Sequence, residues 1–185
     1  MTYCNEMQLH YEHQWSNTAR RCTWQEGPID QLPQGFCVLE FRPVQSRNMW
    51  TYATCCMSQP NDDNPIEVHL FSEAQADSHV ELLTAIAHYN RTGNRLGLGH
   101  TVNFGRPWLP DSACDFGLLS LPYIDGPDLE VFNPSGTSNI VRCLWVVPIT
   151  SAELSYAKRF GVDALEIEFE ASHFNYLDPR RQSVV

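Results

Sequence analysis

A chain of 185 residues with 43% hydrophobic and 18% charged side chains can bury one sizeable core, which excludes a disordered or low-complexity protein. The formal net charge of −10 repels phosphate backbones and argues against nucleic acid as a partner, whereas a basic protein would be attracted. No apolar run approaches the length of a membrane span and residues 1–15 lack an apolar signal region, so the expectation is a cytoplasmic protein with no membrane contact.

Met7, Tyr11 and Trp15, spaced by four, predict a helix over Thr2–Trp15 with one apolar stripe. A loop marked by Gly27-Pro28 and Leu32-Pro33 follows, then a strand over Gly35–Phe41 stopped before Pro43. Asn48–Met57 is the next strand. Neither of its faces carries a charge, so it is expected to be central and covered on both sides. In Ile66–Phe71, Ile66, Val68 and Leu70 share one face while Glu67 and His69 share the other, the pattern of a half-buried strand. Asp77 or Ser78 is the expected cap of a helix whose stripe is Val80, Leu83, Ile86 and Ala87 and whose end is Gly93.

The glycine-rich Leu96–Gly105 leads into a short strand, Thr101–Phe104. Further strands are expected at Phe116–Leu121, Leu129–Phe132 and Ile140–Pro148, the last almost wholly apolar and hence buried. Thr150-Ser151-Ala152-Glu153 is a capping box that opens a helix to about Phe160. Gly161 suits a left-handed cap, Val162–Ala171 forms another helix, and Asp178–Val185 reads as a frayed, flexible tail. Strands outnumber helices without alternating regularly, so the expected class is α+β: one mixed, mostly antiparallel sheet with helices packed on it. The whole chain, 1–185, is read as one domain with its core at about 9–170.

Little of the sequence points to catalysis. The seven cysteines are odd in number, show no C-x-x-C spacing and fall partly in apolar runs, so buried free thiols in a reducing compartment are expected. Cys55 and Cys56 are adjacent in a strand and would point to opposite faces. His10 and His13 lack the further converging ligands that zinc needs, and no metal or cofactor is expected. Gly97-Leu98-Gly99-His100 lacks the Gly-Lys-Ser/Thr ending of a phosphate loop. The acidic sets Asp125/Asp128/Glu130 and Glu166/Glu168/Glu170 read as solvated faces that could dock a basic partner.

Several stretches, in order, carry a resemblance: Trp50-Thr51-Tyr52-Ala53-Thr54, Gly99-His100-Thr101-Val102-Asn103-Phe104, Leu118-Leu119-Ser120-Leu121-Pro122-Tyr123 and Leu144–Glu153 with the following helix. From about Leu9 to Phe169 the chain resembles the Suppressor of fused family. The resemblance implies a three-layer α/β/α sandwich and a non-enzymatic, protein-binding role. It also implies that the chain corresponds to the first of the two domains of animal members, which hold a transcription-factor peptide as an added strand between the two. Tyr89, Gly99, His100 and Val102 match the peptide-contacting region, with Gly99 where animal members have an acidic residue. Bacterial single-domain relatives of this family are thought to include immunity proteins, so the implied partner is a basic toxin domain or an extended peptide at a sheet edge. Trp108 and Tyr123, near turns, are further candidates as exposed interface aromatics. The competing reading is a small thiol- or metal-dependent hydrolase, which needs a cysteine or serine beside His69, His88 or His100.

Overall fold

The computed structural model describes residues 2–185. Helix α1 spans Tyr3–Trp15, and the Thr2 hydroxyl caps it by accepting from the Asn5 amide. Its stripe Met7, Tyr11 and Trp15 is buried, as the spacing of four requires. The strands are β1 (Arg20–Cys22), β2 (Cys37–Phe41), β3 (Trp50–Cys55), β4 (Ile66–Ser72), β5 (Thr101–Asn103), β6 (Cys114–Ser120), β7 (Val131–Phe132) and β8 (Val141–Thr150). They form one eight-stranded sheet in the order β1-β2-β3-β4-β8-β6-β5, with β7 pairing with β8 off that path. Only β4 and β8 run parallel, so the sheet is mixed and mostly antiparallel.

Helix α2 (Asp77–Thr92) covers one face, burying Val80, Leu82, Leu83, Ile86 and Ala87 against Val38, Tyr52, Val68, Leu70, Leu144 and Val146. The other face is covered by α1, by the short α3 (Pro127–Glu130), and by the pair α4 (Ser151–Phe160) and α5 (Val162–Ser172). This is the three-layer α+β sandwich. β3 lies inside the sheet with both faces covered, as its uncharged pattern implies.

Three local expectations are corrected. All seven residues of β4 are buried, not half of them, because the Glu67/His69 face lies under α1. His69 packs 5.7 Å from the Trp15 ring and 5.3 Å from Phe71. Glu67 is fully buried and accepts from the Thr54 hydroxyl (2.6 Å), the Ser58 hydroxyl (2.6 Å) and amide (2.9 Å) and the Met57 amide (3.2 Å). Burial raises its carboxyl pKa, and those donors pull it back. Neither Asp77 nor Ser78 caps α2, whose N-cap is Ala76 without a side-chain bond. Of Leu129–Phe132 only the last two residues are strand; Leu129 sits in the turn of α3 and is buried.

The cysteines differ as well. Cys4 and Cys56 form a disulfide, with Cα atoms 5.5 Å apart, leaving five free thiols. The strand alternation that would part the side chains of 55 and 56 stops at Cys55. Cys56 has φ 66°, which turns its side chain toward the first turn of α1.

The capping box at Thr150 and Glu153 is present, and Glu153 is fully buried. Its carboxylate also receives both Arg181 Nη atoms, at 2.6 and 3.0 Å, and the Val184 amide at 3.0 Å. The tail after Asp178 is therefore docked where composition alone suggests fraying. Gly161 joins α4 to α5 at φ 97°, ψ 158°, a positive-φ corner outside the left-handed helical well that only glycine takes without strain.

Candidate functional site

The main strand path ends at two edges, β1 and β5, and they differ. At β1 the edge carries Arg20 and Arg21, held by Glu40 Oε1 (2.8 Å) and Gln8 Oε1 (2.7 Å). Charged side chains on a short edge strand discourage further pairing. At β5 the edge is uncharged: Thr101, Val102 and Asn103.

The β5–β6 ladder sets which backbone groups of β5 face out. His100 O accepts from Leu119 N (2.9 Å), and Phe104 N donates to Asp115 O (3.1 Å). With Val102 opposite Gly117, residues 100, 102 and 104 are the ones turned toward β6. Alternation in an antiparallel pair then points the N–H and C=O groups of Thr101 and Asn103 away from the sheet. They are an unfilled template for one more strand. The edge ends where Asn103 Oδ1 accepts from Gly105 N (2.7 Å) and the chain turns at Gly105.

Beside this edge a groove of about 480 Å3 runs between β5 and α2. Leu82, Ala85 and Tyr89, at i, i+3 and i+7 of α2, face Val102 and Phe104 across it. Ala85 and Tyr89 are exposed, Tyr89 to 42%. An ion pair between Arg106 and Glu81 (2.6 Å) lies in the same lining. Phe104 can lie over the sheet because position 117 is glycine: a Cβ there would come within 2.9 Å of Phe104 Cζ and 2.8 Å of Val146 Cγ1. Phe104 in turn meets Trp108 edge-on, with centroids 5.5 Å apart.

The nominated residues divide accordingly. Tyr89 and Val102 line the groove, while Gly99 and His100 lead into its edge strand. Gly99 adopts φ +77° and donates its amide to Leu119 O at 2.8 Å; His100 is exposed. Trp108 is only 2% exposed, which corrects its reading as an exposed aromatic: it fills the core beneath Phe104. Tyr123 is 60% exposed but lies on the opposite face of the sheet, donating to Glu166 Oε2 at 2.9 Å. Burial and that carboxylate push its phenol up to about 12. Leu82, Ala85 and Phe104 escaped the sequence reading. The signal for Leu82 and Ala85 was a second apolar stripe on α2, adjacent to the core stripe; Phe104, past the end of β5, belongs to no such stripe.

Cys37, Cys55, Cys114 and Cys143 are buried. Cys22 is half-exposed, and burial pushes its thiol up. Cys37 faces Cys55 across the β2–β3 ladder deep in the sheet, and the Cys55 thiol donates to Cys4 O at 3.3 Å. His69 is sealed in the core, and no group of metal-holding side chains occurs among the described residues.

Residues 33–182 match the family model for the Suppressor of fused protein (SUFU). A SUFU homologue from Neisseria gonorrhoeae FA 1090 has 30% identity and a TM-score of 0.85, over 99% of this chain and 97% of that one. The chain belongs to the Suppressor of fused family. A Sufu–Fu complex structure matches at TM-score 0.73 and 16% identity, over 98% of this chain and 92% of that one. Drosophila Suppressor of Fused matches at TM-score 0.66 and 16% identity, over 98% of this chain but 50% of the fly protein. At that identity the likeness concerns the fold alone. No curated protein matches the sequence. Of the residues nominated from the resemblance, Tyr89 and Val102 line the groove at the β5 edge, whereas Gly99 and His100 precede the strand outside that lining.

Proposed function

We propose that this chain is a non-enzymatic binding module that takes an extended segment of another protein as an added strand on β5. The observation that carries this reading is the outward-facing backbone of Thr101 and Asn103 beside an open apolar groove. Strand addition supplies affinity through backbone hydrogen bonds, and a flanking groove selects alternate side chains. A Suppressor of fused protein assembled with Fu supports protein binding as the common theme. The net charge of −10 favours a basic partner, and toxin neutralisation in the cytoplasm is the role that uses such charge for fast capture. The hydrolase reading lacks support in the geometry, since the accessible thiol, Cys22, is raised by burial rather than activated.

Thr101→Pro tests the proposal. It deletes one outward N–H and leaves the groups turned toward β6 untouched. Capture from the source cell is compared for wild type, Thr101→Pro and Ala85→Glu. A partner held by wild type and lost by both folded variants supports the reading. Equal retention by all three places binding elsewhere and refutes it.

A further inference from the structure

On the opposite face of the sheet a larger cavity, about 620 Å3, opens between α5 and the strands β6 and β8. Trp145 and Val147 line it from the sheet, Phe174 and Tyr176 from the segment after α5, and Tyr123 and Ile124 from the turn after β6. α5 contributes Asp163, Glu166, Ile167 and Glu170, which share one helical face at i, i+3, i+4 and i+7. Ile167 is 64% exposed there. No lysine, arginine or histidine lines the cavity.

Of its carboxylates Glu166 is engaged, accepting from the Ser120 hydroxyl at 2.5 Å and from Tyr123 at 2.9 Å. Asp163 and Glu170 are exposed and enter none of the ion pairs of the described residues. The aromatic cluster behind them already holds cations at both ends. Arg47 lies 4.9 Å from the Phe71 centroid and Arg181 lies 5.0 Å from that of Phe174. Between those ends Phe71, Trp145 and Tyr176 meet at 5.4 and 5.5 Å. The stretch beside the cavity, Trp145 and Tyr176, has no cation of its own.

We propose that this cavity binds a small organic cation, an amine or amidinium carried on an apolar body. Trp145 and Tyr176 hold the body, and Asp163 and Glu170 hold the charge. The volume falls in the range of small-molecule sites. Aromatic faces attract cations. Three carboxylates lie in the lining, and the base behind Phe174, Arg181, is already paired with Glu153, so the cavity selects against anions.

The test uses three probes of one shape and different charge: benzamidine, benzamide and benzoate. The Trp145 indole N–H resonance, assigned with Trp145→Phe, reports binding. Benzamidine is expected to shift it saturably, benzamide more weakly, and benzoate not at all. Asp163→Asn with Glu170→Gln, both exposed, keeps the fold and weakens benzamidine by about fivefold to about 25-fold, about fivefold being the upper worth of each exposed charge contact. The proposal fails if benzamide binds as tightly as benzamidine, if the double variant binds unchanged, or if no probe moves Trp145. Because the cavity lies across the sheet from β5, Thr101→Pro leaves this binding intact, so the two proposals fail separately.

Discussion

Lowering the pH from 7.5 to 5.0 should destabilise this protein through two histidines that bear no relation to a catalytic site. His69 is fully buried under α1, and burial, with Arg47 nearby, lowers its pKa to about 3. His79 is 1% exposed, packs 5.0 Å from the Tyr52 ring, and burial lowers it to about 4. In the unfolded chain both take the ordinary value of 6.5. Below that pH the unfolded state binds protons that the folded state refuses, so stability falls as pH falls. The window runs from 6.5 down to the folded values. At pH 5.0 each histidine costs about 2 kcal/mol, at about 1.4 kcal/mol per pH unit, and the two together about 4 kcal/mol. Glu67, raised by burial, acts in the opposite direction, so a difference between proteins is the clean quantity. Urea unfolding of wild type and His69→Phe at pH 7.5 and 5.0 measures it. The variant should lose about 2 kcal/mol less than wild type over that interval, and adding His79→Leu should recover about as much again. Parallel pH curves would refute the argument that these imidazoles are held neutral.

Three further outcomes follow from contacts described above. Arg181→Ala strands the fully buried Glu153 carboxylate and should cost about 3–5 kcal/mol in urea unfolding, while a loss below about 1 kcal/mol would mean that the tail is not docked. Thiol titration of the unreduced, denatured protein should count five thiols, and breaking the Cys4–Cys56 link, which closes a separation of 52 residues, should lower stability by about 4 kcal/mol. Gly117→Ala forces Phe104 from the groove and should cost about 1–3 kcal/mol while weakening the β5 partner; an unchanged melting curve would contradict the close approach seen there.

Elements governed by local rules were legible in the sequence. The α1 stripe, the apolar run of β8 and the Thr150/Glu153 capping box depend on neighbours within one turn or one strand, and each is where the pattern puts it. What failed depended on distant partners. Glu67 and His69 alternate like solvent-facing residues, but α1, more than fifty positions upstream, covers them. Cys4 and Cys56 meet only after β3 has packed beneath α1. Arg181 looks like part of a polar tail until Glu153 is placed beside it. The site was legible in part. Tyr89 and Val102 came from the family resemblance, but strand order decides that β5 is an edge, and β6 and β8 pair out of chain order. Burial of Trp108 likewise follows from Phe104 folding over Gly117, which no periodicity announces.

Amide hydrogen exchange resolved by residue tests the central claim most directly. In the free protein the Thr101 and Asn103 amides should exchange fast and the Val102 amide slowly. With the captured partner bound, Thr101 and Asn103 should become as protected as Val102. Fast exchange at both in a saturated complex, with protection confined to another surface, would contradict strand addition at β5.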